Sequence, residues 1–119
     1  MQADWTQRRR HMRVFCRVPI ELIEPVRARL ETVNLSVGGA YCFSPVRLSS
    51  GVRVTCLIRA RSRRRVREDL QLDALVRRSQ EEGDGAPRHM LALQFVEVPN
   101  PAESTLKTFL ETIAGTPVD

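Results

Sequence analysis

Apolar and polar residues alternate along most of this chain, and this alternation constrains the fold more than any other feature. From Val14 to Leu22 every second residue is apolar. Successive side chains of a strand point to opposite faces of the sheet, so a period of two predicts a strand with one buried face. Five more segments follow the same rule, and they predict strands at 26–31, 39–44, 52–60, 70–76 and 89–98.

Breaks in the alternation predict where strands end or bend. Pro19 lies inside the first strand and has no N–H to donate, which predicts an edge position or a bulge there. The glycines of NLSVGG at 34–39 and the Gly51 segment predict turns. Two further breaks are the arginine-rich stretch 61–67, predicted as a hairpin tip, and the Gly- and Pro-containing stretch 80–87, predicted as a loop.

The period changes after Asn100, where the pattern predicts a helix over 101–114. Asn100 is a candidate cap, Pro101 suits the first helical position, and Glu103 places a carboxylate in the first turn. Apolar residues then recur at helical spacing and form one stripe, at Leu106, Phe109, Leu110 and Ile113. Gly115 and Pro117 mark the end of the helix.

Six short strands and one terminal helix predict a mainly all-β domain, either an antiparallel barrel or a sandwich. With 119 residues the chain is long enough for one domain. Residues 1–7 are predicted to be a flexible arm, 8–115 the domain and 116–119 a tail. We expect a cytoplasmic protein without a membrane span, because no apolar stretch reaches the ~20 residues that a span needs and no secretory signal is recognisable.

Candidates for catalysis and metal binding are few. The three cysteines form no C-x-x-C pair, and the chain has only two histidines, His11 and His89. This composition argues against a zinc site or a disulfide framework. Neither Ser36 nor Ser50 lies in a recognisable nucleophile motif, and the carboxylates are scattered over predicted solvent faces. We therefore expect no enzyme, no metal and no cofactor.

The charge favours an anionic partner. The chain has 19 basic and 14 acidic residues, and Lys107 is the only lysine. Four of the arginines fall in the stretch QRRRHMRV at 7–14. A guanidinium group binds phosphate or the O6/N7 edge of guanine through two parallel hydrogen bonds, which the ammonium group of lysine does not do.

The stretch NLSVGG carries a second set of polar groups. Asn34 and Ser36 are two residues apart, so on extended backbone an amide and a hydroxyl share one face and can pair with a base edge. Gly38 and Gly39 would allow close approach of backbone or of a ligand, and they permit positive φ. Ordinary turn chemistry explains the same residues and stays open as an alternative.

Together these stretches resemble the motifs of the PilZ domain, a bacterial receptor for cyclic di-GMP. Arg9 and Arg13 fit R-x-x-x-R before the first strand, and Asn34, Ser36 and Gly39 fit [D/N]-x-S-x-x-G after the second. The resemblance covers about residues 8–113. It implies a six-stranded antiparallel barrel with one C-terminal helix, and an arginine segment that closes over the ligand.

The resemblance also implies a ligand site. Arg9 and Arg13 would engage guanine and phosphate, while Asn34 and Ser36 would bond a guanine edge. Gly39 would keep the turn open, and Arg8 would influence whether one ligand or a stacked pair is bound. The full expected cyclic di-GMP site is Arg8, Arg9, Arg13, Asn34, Ser36, Gly38 and Gly39.

Alternatives remain at this point. Arg13 and Arg17 also fit R-x-x-x-R, although Arg17 falls on the polar face of the first strand. The arginine-rich surface is compatible with a nucleic-acid-binding barrel, but the aromatic platforms that such barrels use are scarce. A protein-interaction module that binds no nucleotide is a third reading. We expect closure of the arm to signal to an unidentified effector protein. We also expect the protein to be a monomer or a weak homodimer and to bind no nucleic acid.

Overall fold

The structure, a computed structural model, describes residues 13–61, 67–82 and 88–114. The strands are β1 (Val14–Phe15), β2 (Pro19–Glu24), β3 (Ala28–Leu35), β4 (Gly39–Ser44), β5 (Arg53–Arg61), β6 (Arg67–Glu82) and β7 (Arg88–Val96), followed by helix α1 (Asn100–Ile113). Every neighbouring pair of these strands is antiparallel.

Strands β2 to β7 close into a barrel. Their order around the ring is β3-β2-β5-β6-β7-β4, and the additional pairing of β3 with β4 completes the circle. The two-residue strand β1 pairs with the far end of β3, beside β2. The barrel prediction is therefore confirmed for the described residues, and closure removes the exposed sheet edges that a sandwich would leave.

The first predicted strand is divided into β1 and β2 by a break at residues 16–18, and Pro19 is the first residue of β2. The predicted edge position is wrong, because β2 lies between β3 and β5, and the register shift of β2 falls between Leu22 and Glu24 and not at Pro19.

Between β1 and β2, the hydroxyl of Thr32 replaces ladder bonds: it accepts a hydrogen bond from the Val18 N–H at 2.7 Å and donates one to the Cys16 carbonyl at 2.6 Å. Thr32 is buried. This side chain therefore satisfies two backbone groups at the break and fastens β1 to the barrel.

The alternating apolar residues fill the interior of the barrel. Ile20, Leu22, Leu30, Ile58 and Leu91 are almost completely buried, whereas their polar neighbours along each strand face outward. Two cysteines belong to this core, and burial raises the pKa of the Cys56 thiol to about 12. At neutral pH this thiol is protonated and acts as a small apolar side chain.

The structure describes only parts of the two polar segments that were predicted as a loop and a hairpin tip. The predicted loop at 80–87 is wrong at its start, because β6 continues through Glu82 and its last residues pair with β7. Residues 83–87 and most of the predicted hairpin tip at 61–67 lie outside the described residues. The last three residues of β6, QEE at 80–82, are all polar, so the sequence predicts neither the length of this strand nor its pairing with β7.

The helix begins one residue earlier than predicted. Its cap is Pro99, without a side-chain cap hydrogen bond, so the prediction that Asn100 caps it is wrong. Asn100 is already helical, and the Glu103 N–H donates to the Pro99 carbonyl at 2.9 Å. The apolar stripe is as predicted: Leu106, Phe109 and Leu110 are buried, and the helix packs against β5 and β6.

Candidate functional site

An open groove of about 990 Å³ lies on the barrel surface across β4, β6 and β7. Its volume is at the upper end of the ~300–1,000 Å³ range of ligand pockets. The described residues that line this groove are Arg13, Asn34, Ser36, Gly38, Gly39, Ala40, Tyr41, Arg77, Arg78, Ala92, Leu93, Gln94 and Phe95. Both sequence motifs therefore contribute to one concave surface.

Strand β1 brings the arginine motif to the groove. Val14 pairs with Leu35 and Phe15 with Asn34, so the residue before β1, Arg13, lies beside the turn that follows β3. Arg13 is exposed and lines the groove. Arg17 is exposed too, but it does not line the groove.

Two of the expected site residues, Arg8 and Arg9, lie outside the described residues. The other five, from Arg13 to Gly39, all line the groove. Arg13 belongs to both registers of the R-x-x-x-R motif, so only Arg17 separates them here. Its absence from the groove lining argues against the second register.

Ser36 organises the turn between β3 and β4. Its hydroxyl oxygen accepts hydrogen bonds from the N–H groups of Gly38 at 3.1 Å and Gly39 at 3.2 Å, and its proton points to the Gly39 carbonyl at 3.3 Å. A hydroxyl has one donor and two acceptor sites, so these three contacts use its full capacity. Ser36 shapes the groove by holding the turn, and its role toward a guanine stays a prediction.

Gly39 is required by strand packing. A Cβ at this position would lie 2.1 Å from the Leu93 carbonyl oxygen, a distance that no real side chain adopts. The neighbouring Gly38 accepts a hydrogen bond from the Phe95 N–H at 2.9 Å. These contacts join the turn to β7, and the close approach of the Leu93 backbone explains the glycine at position 39.

Asn34 belongs to an outward-facing row that crosses four strands. It lies opposite Tyr41 on β4, Tyr41 lies opposite Ala92 on β7, and Ala92 lies opposite Arg78 on β6. Residues directly opposite in antiparallel strands share a face of the sheet. Among the described residues no hydrogen-bond partner is found for the Asn34 amide. The amide therefore remains available to a ligand, unlike the hydroxyl of Ser36.

Arg77 and Arg78 line the groove and were not among the residues proposed from the sequence. Strict alternation would turn Arg78 toward the interior, like Val76. A register shift between Val76 and Arg78 inserts one extra residue, and both arginines are exposed. The hydroxyl of Ser50 donates to the Arg77 carbonyl at 2.9 Å and holds the backbone there. Two adjacent arginines after an alternating strand were the only sequence signal of this bulge.

The electrostatics of the groove are one-sided. Three arginines line it, and no carboxylate is found among its described lining residues. A concave surface with one sign of charge concentrates counter-ions.

Within the described part of the chain, no group of three or more His, Cys, Asp and Glu residues is placed to hold a metal ion. None of the helices described there has the length and apolar character to cross a membrane.

Solved structures with the same fold come from several bacterial proteins. The Bacillus subtilis inhibitor of motility MotI/DgrA has a TM-score of 0.73 at 20% identity, over 89% of this chain and 50% of that chain. The PilZ domain of YcgR from Escherichia coli, solved with c-di-GMP, has a TM-score of 0.69 at 19% identity, over 90% and 92% of the two chains. The PilZ domain of CeSA from a cellulose-synthesizing bacterium gives 0.52 at 22% identity, over 87% and 96%.

These identities establish the fold and not the function. The chain spans about half the length of MotI/DgrA and nearly all of the isolated YcgR domain. A comparison with curated proteins finds no significant match. The family model for the PilZ domain matches residues 7–112, almost the whole sequence. The chain therefore belongs to the PilZ domain family.

Proposed function

We propose that this protein binds cyclic di-GMP in the groove. The observation that carries the proposal is the meeting of Arg13, Arg77, Arg78 and the unpartnered Asn34 amide on one concave surface without a described carboxylate. Membership of the PilZ family supports the choice of ligand, as does the c-di-GMP in the structure of the related YcgR domain. The ligand carries two phosphates and two guanines, which match these groups.

The groove contains groups that can bind the phosphates of the ligand and groups that can recognise its bases. Guanidinium groups at Arg13, Arg77 and Arg78 can each form charge-assisted hydrogen bonds to phosphate or a guanine edge, worth about 1.5–3 kcal/mol apiece. The Asn34 amide offers both donors and an acceptor to a guanine edge. Ser36 and Gly39 keep the turn in place, so that little rearrangement of the barrel is needed on binding.

The proposed signalling step uses the segment before β1. Arg8 and Arg9 would be drawn toward the ligand together with Arg13, and the ordered segment would form a new surface beside the groove. A partner protein that recognises this surface would report the level of the ligand. Part of the binding free energy is then used to order the segment.

The test is a calorimetric titration of the protein with cyclic di-GMP, which gives affinity and molecules bound per chain in one experiment. We expect saturable binding, and at least about tenfold weaker binding after Arg9→Ala, because each bond to a charged group is worth about 1.5–3 kcal/mol. GMP and random single-stranded DNA serve as controls. Absence of binding to the cyclic dinucleotide, or retention of DNA at 150 mM salt, would reject the proposal.

A further inference from the structure

Phe15 is exposed in a way that core packing does not explain. Its exposed fraction is 80%, and among the described large apolar residues only Val26, at 42%, is also exposed. Phe15 is not itself a lining residue of the groove, but it lies on β1, two residues after the lining residue Arg13 and opposite the lining residue Asn34. A large aromatic side chain held in water beside a candidate ligand site is available for contact with that ligand.

The pairing register places Phe15 in the same row as two groove residues. It lies opposite Asn34, which on its other side lies opposite Tyr41. The three side chains share the outer face, so the row reads aromatic, amide, aromatic over three adjacent strands. Neighbouring strands are about 4.8 Å apart, which puts each aromatic residue one strand away from the amide.

We propose that Phe15 and Tyr41 are the two walls of an aromatic slot, in which a purine base stands with its edge on Asn34. This inference rests on the proposed function and extends it to recognition of the base. A ring above Asn34 would be about 4.8 Å from each wall, within the ~4.5–7 Å over which aromatic rings attract. The amide reads the polar edge of the base while the walls cover its faces.

The chemistry of the slot favours a purine over a plain phosphate or a sugar. An anion alone would be bound by the arginines and would gain nothing from two aromatic walls. A docked protein would need more apolar surface than one exposed phenylalanine, and the adjoining lining residues Asn34 and Arg13 are polar. The ligand that uses the whole row is one that carries both phosphate and base.

Affinity measurements on matched variants test the slot. We expect Phe15→Ala and Tyr41→Ala each to weaken cyclic di-GMP binding about tenfold or more, the usual loss when a base loses its aromatic partner. Phe15→Trp and Tyr41→Phe keep a ring and should stay within about threefold of the unmodified protein. Val26→Ala is the control, since Val26 is exposed but lies in the turn between β2 and β3, outside the row of Phe15, Asn34 and Tyr41. Melting curves establish that each variant is folded.

The outcomes separate this inference from the proposed function. If the unmodified protein does not bind the cyclic dinucleotide, the proposed function fails and the slot fails with it. If it binds and both alanine variants bind equally well, only the slot is overturned. Weaker binding of cyclic di-GMP after Tyr41→Ala but not after Phe15→Ala would overturn the role of Phe15.

A fluorescence experiment reports the contact itself. The chain has one tryptophan, Trp5, so a variant with Trp5→Phe and Phe15→Trp carries its only indole in the slot. We expect cyclic di-GMP to quench this emission and pyrophosphate, which has no base, to leave it unchanged. Unquenched emission at ligand concentrations that saturate the same variant in calorimetry would show that no base stacks there.

Discussion

Two sets of arginines on this barrel have different surroundings. Arg13, Arg77 and Arg78 line the groove, and no ion pair to a described carboxylate is found for them. On β5, Arg53 contacts Asp73 at 2.8 Å and Glu97 at 2.6 Å, and Arg59 contacts Glu21 at 2.9 Å. The first set retains its capacity to bind an anion, whereas the second has already used it.

The difference shows that the position of a charge matters more than the net charge of the chain. The arginines of both sets are exposed, and each contributes the same positive charge to the net charge of the chain. Ion pairs at an exposed surface contribute little to stability, so the β5 arginines are not essential to the fold either. What separates the two sets is their carboxylate neighbours, which are set by strand register.

The largest expected effect comes from removing the unpaired arginines of β6. The double change Arg77→Ala with Arg78→Ala should weaken cyclic di-GMP binding by about 100-fold or more, because two charge-assisted contacts of about 1.5–3 kcal/mol each are lost. Calorimetry measures the affinity. Since both side chains are exposed, the free energy of unfolding should change little.

The matched control removes the paired set instead. Arg53→Ala with Arg59→Ala makes the same change in net charge, and neither residue lines the groove. Affinity should stay within about threefold at 150 mM salt, where distant charges are screened. Equal losses in the two double variants would mean that the ligand senses only overall charge, and the distinction between the two sets would be wrong.

A second comparison sets the buried Thr32 of β3 against Thr55 of β5. Thr32→Val should lower the free energy of unfolding by about 1–3 kcal/mol, because it leaves the buried Val18 N–H and the Cys16 carbonyl without their partner. Urea denaturation measures it. Thr55→Val, whose hydroxyl donates to Asp73 at 3.1 Å in a partly exposed position, should cost less. The opposite order would contradict the role given to Thr32.

A smaller effect is expected when charge is kept and geometry is changed. Arg13→Lys retains the positive charge but loses the planar fork of donors, so affinity should fall by about tenfold. Arg17→Lys should leave the affinity unchanged, because Arg17 does not line the groove. The titration is again with cyclic di-GMP. A loss at Arg17 that matches the loss at Arg13 would favour the alternative register of the arginine motif.

The smallest effect concerns stability and pH. Hydrogen bonds from Arg53 and then Thr55 lower the pKa of Asp73 below its ordinary value. A carboxyl group whose pKa is lowered in the folded state stabilises the protein at pH values above its unfolded pKa of about 3.9. This stabilisation is lost as the pH falls through the folded-state pKa. Asp73→Asn should therefore lower the melting temperature slightly at pH 6 and not at pH 2, without any change in ligand binding. A difference that grows toward acid would contradict this assignment.

Much of the fold could be predicted because it depends on local rules. A period of two identifies strands, whereas Pro19 predicted an irregularity in the first strand without showing that the chain breaks at 16–18. The stripe of Leu106, Phe109 and Leu110 gives the helix its buried face. The cap was missed because Pro99 and Asn100 are adjacent and both are compatible with a helix start, and only backbone geometry decides between them.

The site could be predicted only where its residues follow a motif. Arg13, Asn34 and Ser36 have fixed spacings and come together through the pairing of β1 with β3. Arg77 and Arg78 are brought to the groove by a bulge on β6 and by the β6–β7 register, which are long-range properties. The division of roles between Asn34 and Ser36 likewise depends on hydrogen bonds that appear only once the turn is folded.

The most direct test of the central claim is a two-dimensional ¹H–¹⁵N NMR titration with cyclic di-GMP, read residue by residue. The account predicts shifts of the amides of Asn34, Ser36, Gly39, Arg78 and Gln94 around the groove, while those of Glu21, Leu57 and Arg59 on β2 and β5 stay in place. Shifts confined to β2 and β5, or none at saturating ligand, would contradict it.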